Sequence, residues 1–238
     1  MKHTAVIFTV LAGLLLLVQG CSVVQFAEPT GKEKPGAVGM SFYFMERGDD
    51  GTRNLMAQSR LTGIYLSEVG KDNKPIRFVD LKENQAVYLH YTQVVITGLD
   101  PKKTYAIRYI DFEQKVDSKR YIQWGVQPST VQAAKVAPIQ LKPGKFEFIG
   151  VIGVELKIQK FLGRAVSVDS TKISKDPKPL TKFSEDGLWG GYATWAKQNA
   201  FGYGKSRTLK AARIFILENF EKSQKSPYWK AFAKRSMK

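Results

Sequence analysis

Gly98-Leu99-Asp100-Pro101-Lys102-Lys103-Thr104-Tyr105-Ala106-Ile107-Arg108-Tyr109-Ile110-Asp111 carries the two signals from which the fold is read. Gly98 to Pro101 is turn chemistry: glycine tolerates positive φ and proline presets its own. From Thr104 onward, Tyr105, Ile107 and Tyr109 alternate with Thr104, Ala106, Arg108 and Ile110. That period of two suits a strand with one buried and one partly solvated face. The same grammar runs from Val38 to about Gln159. Strands are expected at 38–46, 60–69, 75–81, 86–97, 104–112, 119–126, 136–142 and 145–159. Further turn clusters are Gly48-Asp49-Asp50-Gly51, Gly70-Lys71-Asp72-Asn73 and Pro143-Gly144. The unbroken run Ser41-Phe42-Tyr43-Phe44 belongs in the core. Short strands at this spacing predict a mainly β, antiparallel sandwich.

Two stretches resemble corners of known sandwiches. Ile96-Thr97-Gly98-Leu99-Asp100-Pro101-Lys102-Lys103-Thr104-Tyr105 resembles the E–F corner of fibronectin type III and related immunoglobulin-like domains. It has a Leu, a Pro two residues later and a Tyr six residues after the Leu. The resemblance implies that Leu99 plugs the core and that the Tyr105 hydroxyl returns to backbone upstream, as a tyrosine corner. Ile139-Gln140-Leu141-Lys142-Pro143-Gly144-Lys145-Phe146-Glu147-Phe148 resembles the turn of transthyretin-like and carboxypeptidase-regulatory-like sandwiches. Pro143-Gly144 suits a type II turn. Together they imply one immunoglobulin-like or transthyretin-like sandwich over 38–169.

The composition changes after Val168. Residues 170–185, with Pro177 and Pro179 among lysines, read as a linker, and 186–238 as a basic, helical C-terminal region. Asp186 to Asn199 has apolar residues at helical spacing, weakened by Gly190-Gly191. Ser206 to Ser223 is capped by Ser206 and carries the stripe Leu209, Ala212, Ile216 and Phe220, with Phe215 beside it. Ser226-Pro227 offers a cap followed by proline at the first helical position. It opens a short helix to Met237 with Trp229, Phe232 and Ala233 on one face.

The chain opens with a short basic start, an apolar run from Ala5 to Val18 and a single cysteine, Cys21. That is the build of a secretory signal, too short for the roughly 20 apolar residues of a membrane span. Leu17-Val18-Gln19-Gly20-Cys21 resembles the lipobox of bacterial lipoproteins. The resemblance implies cleavage between Gly20 and Cys21, removal of 1–20, and covalent lipid on the Cys21 thiol. It also implies a cell-envelope location, the outer membrane where one exists, because Ser22 and not Asp follows the cysteine. Residues 21–37, with Pro29, Gly31, Pro35 and Gly36, read as a tether. With its thiol acylated, the mature chain has no cysteine left for a disulfide or a Cys-based metal site.

The net charge is +16, and +10 of it lies on residues 172–238. A basic end on an exported chain points to lipid headgroups, polysaccharide phosphates or acidic proteins rather than to nucleic acid. Lys230, Lys234 and Arg235 are the candidate basic surface. Gly202, Gly204, Lys205, Ser206 and Arg207 form a candidate anion site at a helix start, the alternative being a turn with a helix cap. Asn199 stands where a phosphate-binding loop needs glycine, which removes nucleotide binding. His90 is the one histidine of the mature chain and is read as structural, and one imidazole is too few for a His-based metal site. Asp49-Asp50-Gly51 and Asp72-Asn73 lack the spaced ligands of a calcium loop and are expected to be hairpin turns. No catalytic residue, metal or cofactor other than the lipid is expected. The reading is a lipid-anchored, non-enzymatic binding or scaffolding module for an envelope protein complex or an anionic surface. The alternatives are a carboxylate-based envelope carbohydrate-active enzyme and a carrier of a small apolar ligand.

Overall fold

Strand β1 (Ala37–Arg47) contains the run around Phe42, and its first nine residues are all buried. A strand covered on both faces has no reason to alternate, which is why this stretch reads as continuous apolar sequence. The computed structural model describes residues 25–30, 34–56, 59–79, 81, 87–115, 120–161, 164–175 and 209–238. After β1 come β2 (Arg53–Leu55), β3 (Ser59–Val69), β4 (Pro75–Val79), β5 (Val87–His90), β6 (Gln93–Ile96), β7 (Thr104–Lys115) and β8 (Tyr121–Val126). Then follow α1 (Thr130–Val136), β9 (Phe146–Phe161), β10 (Arg164–Lys175), α2 (Leu209–Ser223) and α3 (Pro227–Met237).

The strands form two sheets. One runs β10-β9-β1-β6-β5, with β2 on the far end of β1; the other runs β4-β3-β7-β8. Pairing is antiparallel except between β1 and β9, which run parallel from Ala37↔Phe146 to Glu46↔Leu156. Between the sheets lie Val38, Met40, Phe42 and Phe44 of β1 with Leu66, Ile107, Ile110 and Phe112. The Phe44 and Phe112 rings stack at 3.8 Å. The named side chains form one continuous apolar cluster between the sheets.

The other face of the six-stranded sheet is covered by α2 and α3. Ala37, Tyr88, Val95 and Phe146 pack there against Ile216, Leu217, Phe220, Trp229 and Phe232. The Phe146 ring lies over Gly39, where an added Cβ would stand 2.3 Å from it. The layer order is therefore helices, six-stranded sheet, four-stranded sheet.

Both corners take the expected geometry. The chain crosses from β6 in one sheet to β7 in the other, with Gly98 at φ 75°. Leu99 is buried, and the backbone N–H of Asp100 donates to the Tyr105 hydroxyl at 3.1 Å. At Lys142-Pro143-Gly144-Lys145 the Lys145 N–H donates to the Lys142 carbonyl at 3.1 Å with Gly144 at φ 69°. The 48–51 and 70–73 clusters are hairpin turns. The Asp50 carboxylate accepts from the Thr52 N–H at 2.9 Å and its hydroxyl at 2.7 Å, which holds its pKa below the usual carboxylate value.

Several expectations are corrected. The strand expected at 86–97 is two strands, β5 and β6, joined by Tyr91-Thr92. Tyr91 sits at φ 52°, a turn position usually held by glycine, asparagine or aspartate. The stretch 136–142 is not a strand: helix α1 ends at Val136, and only Ile139 bridges, to Tyr105. The linker expected from 170 starts too early, because Ser170–Lys175 belongs to β10 and pairs with β9. As an edge strand with one buried residue over 170–175, Ile173, it carries Ser, Thr and Lys outward and so looks like a linker. The tether expected over 21–37 is bound to the body from Gln25 to Glu28, and the sandwich runs past 169 to the end of β10.

Truncating Phe44 to Ala removes a ring from the stack between the sheets. The expected loss is about 3–5 kcal/mol, read as a lowered urea midpoint with an unchanged slope.

Candidate functional site

Helix α3 begins where the sequence placed it. Ser226 caps it, its hydroxyl accepting from the Trp229 N–H at 3.2 Å, and Pro227 fills the first helical position. Trp229, Phe232 and Ala233 are buried, while Pro227, Lys230, Ala231, Lys234, Arg235 and Lys238 are exposed. The exposed set recurs at three- and four-residue intervals, so it forms one stripe. Four of its six members are cations and none is acidic. Lys234 makes one ion pair, with Glu221 of α2 at 3.7 Å. Helix α2 buries Ala212, Phe215, Ile216, Leu217 and Phe220, whereas Leu209, expected in that stripe, is 40% exposed.

A segment near the N-terminus straps this helical pair. Phe26 is 3% exposed and meets the rings of Phe220 at 5.1 Å and Trp229 at 5.3 Å. Its N–H donates to Gln224 Oε1 at 2.9 Å, and Trp229 Nε1 donates to the Ala27 carbonyl at 2.9 Å. Gln25 donates through Nε2 to the Ser223 carbonyl at 2.8 Å and accepts through Oε1 from the Lys225 N–H at 2.7 Å. The Glu28 carboxylate completes the α3 cap: it accepts from the Tyr228 N–H at 3.3 Å and from the Ser226 hydroxyl. A negative group there also suits the positive end of the helix. Tyr228 closes the strap by donating its hydroxyl to the Pro35 carbonyl at 3.0 Å.

Tyr88 of β5 joins the helices to the sheet, its ring 5.5 Å from Phe220. Burial pushes its phenol up to about 12, against the opposing effect of a hydrogen bond with Ser223. His90 lies two residues along, its ring 6.2 Å from that of Tyr88 and 4.7 Å from that of Tyr91, and burial lowers its pKa. It is placed among aromatic rings at the end of a hairpin, which suits the structural reading.

The opposite face of the molecule is the outer side of the four-stranded sheet, which no helix among the described residues covers. Tyr65 lies between Phe78, 6.0 Å away, and Tyr109, 5.7 Å away, and the Arg108 guanidinium sits 5.7 Å from the Phe78 ring. Gly125 gives Tyr109 its room: a Cβ there would stand 1.9 Å from the phenol oxygen. Ile76 and Phe78 on the edge strand β4 are 66% and 45% exposed. A polar recess of about 520 Å³ lies elsewhere, between Glu46, Arg47, Asp49, Lys157 and Asp169. Its charges compensate one another, with Lys157 3.6 Å from Asp49 and 4.0 Å from Asp169.

Of the residues singled out from the sequence, Lys230, Lys234 and Arg235 stand together on the exposed stripe of α3. Gly20, Cys21, Gly202, Gly204, Lys205, Ser206, Arg207 and the helix expected at 186–199 lie outside the described residues. The strap was missed, and the signal for it was Phe26, a lone aromatic in a stretch otherwise rich in turn formers. Among the described residues no helix is long and apolar enough to cross a membrane, and no group of three His, Asp or Glu side chains could hold a metal ion. No protein-family model, curated protein or solved structure matches this chain.

Replacing Phe26 by Ala is expected to release the strap at a cost of about 3–5 kcal/mol, seen as faster amide hydrogen exchange over residues 25–28 while the sandwich strands stay protected. Tyr88 makes a pH prediction. Below pH 10.0 the phenol is neutral folded or unfolded. Above it the unfolded chain loses its proton first, so stability falls by about 2–3 kcal/mol as pH approaches about 12. Tyr88→Phe should flatten that alkaline loss, followed by tryptophan fluorescence.

Proposed function

We propose that this protein is a lipid-anchored bacterial envelope lipoprotein acting as a non-enzymatic binding or scaffolding module. The observation that carries the reading is where the strap docks. Gln25 is bound to the α2–α3 turn only four residues after Cys21, a span of at most about 14 Å of extended chain. A lipid on Cys21 would therefore enter the bilayer beside the helical layer. The four-stranded sheet, on the far side of the sandwich, would face away from the membrane.

That sheet face is the surface we assign to a protein partner. Ile76 and Phe78 sit on an edge strand beside Tyr65, Tyr109 and Arg108, so apolar area, aromatic rings and unpaired strand backbone occur together. Ser22 supports an outer-membrane address where the cell has one. Within the two-sheet architecture we place the domain in the immunoglobulin-like or transthyretin-like class, supported by the Tyr105–Asp100 hydrogen bond and the Pro143-Gly144 turn.

Two measurements test this. Palmitate labelling of cells should mark the native chain and not the Cys21→Ser variant; an unlabelled native chain would end the lipoprotein reading. Cross-linking and purification from detergent-solubilised membranes should recover a stoichiometric partner that survives high salt. The Ile76→Asp, Phe78→Asp double variant should lose that partner while keeping its fold by circular dichroism. Recovery of the same partner by the variant would move the interface elsewhere.

A further inference from the structure

We propose that the exposed stripe of α3, formed by Lys230, Lys234, Arg235 and Lys238, docks on the anionic headgroups of the bilayer that holds the lipid anchor. The placement rests on the lipoprotein reading above; the surface itself rests on the fold. Residues 209–238 carry eight Lys or Arg against two Glu. Helix packing sorts these charges, because Trp229, Phe232 and Ala233 turn inward beneath the strap and the cations turn out. The stripe runs the length of a helix of about 16 Å, and the strap fixes Gln25, at most about 14 Å of extended chain from Cys21, to the turn that leads into that helix.

The mode of binding follows from what faces outward. A basic amphipathic helix that lies in a membrane buries its aromatic face among the acyl chains. Here that face is already occupied: Trp229 is 2% exposed, Phe232 1%, and both pack against other rings of this chain. Only charge remains for the headgroups. Contact is therefore electrostatic, falls off within a Debye length and weakens with salt. With a lipid anchor in place, such a face sets orientation: it holds the helical layer flat on the surface and points the four-stranded sheet away from it.

The test uses the mature chain from residue 21 with Cys21→Ser, so that no lipid contributes. Phosphatidylcholine vesicles, with and without phosphatidylglycerol, are sedimented with the protein at rising salt. Retention is expected only on vesicles with phosphatidylglycerol and should fall as salt rises. A basic residue near an anionic surface contributes roughly fivefold, so Lys230→Gln, Lys234→Gln, Arg235→Gln together should weaken retention roughly 100-fold. Lys71→Gln, Lys74→Gln, Lys102→Gln removes the same charge from exposed positions on turns of the four-stranded sheet and should change retention far less. Equal losses from the two triple variants, or none from the α3 variant, would overturn the inference. So would capture by soluble polyphosphate without retention on vesicles. Palmitate labelling keeps the two readings apart. A labelled protein whose α3 variant binds unchanged refutes only the docking face, while an unlabelled protein with the expected vesicle binding refutes only the anchor.

Discussion

Strand β1 must be covered on both faces, and the rest of the structure is arranged around that requirement. One face sends Val38, Met40, Phe42 and Phe44 between the sheets. The other would present Ala37, Tyr43 and Met45 to water if nothing lay above them, and at roughly 25 cal/mol per Å² that exposure would cost several kcal/mol. Helix α2 supplies the cover, through Ala212 and Phe215 for Tyr43 and Met45, and α3 packs against α2. Residues 209–238 are therefore a layer packed on the sandwich, although their composition differs so sharply from that of the strands. The parallel pairing of β1 with β9 has the same origin, since a central strand needs partners along both edges and β6 supplies only one.

The strap extends this logic to the beginning of the described chain. A helix pair lying on a sheet leaves its outer grooves open, and Phe26 fills the one between Phe220 and Trp229. Glu28 then meets the one amide at the start of α3 that Ser226 cannot reach, because Pro227 has no N–H and Trp229 already uses the Ser226 hydroxyl. A residue far away in sequence thus becomes part of a helix cap. The contact joins two otherwise separate properties, the point where a lipid would attach and the face where positive charge collects.

Charge is distributed in two ways. Around the sandwich, several ions are matched: Arg47 with Glu155, Arg60 with Glu113, Lys103 and Arg77 with Glu68, and Lys157 with Asp49 and Asp169. Exposed pairs of this kind contribute little stability individually and lower the local field. Along α3 and its C-cap Lys238 the stripe has four cations, and among the described residues Lys234 pairs with Glu221, so positive charge is concentrated there. A functional reading built on surfaces follows from that contrast.

The sequence by itself determined the mainly β architecture, both corner turns, the positions of most strands and helix α3 with its cap. Each of these is written in residues close together in the chain: a period of two, a Pro-Gly, a Ser-Pro before an aromatic stripe. It also placed Lys230, Lys234 and Arg235 on one helix. The Tyr91 turn was hidden because its backbone takes positive φ without the usual residue, and neighbouring strands hold it there. All of β10 was hidden, since the last expected strand ended at 159 and an edge strand facing water has a linker's composition. Tertiary structure alone decided the parallel β1–β9 pairing, the burial of the helical layer, the strap and the Glu28 cap. These join segments separated by about a hundred residues or more, and a one-dimensional pattern records which side chains want burial but not which distant surface will bury them.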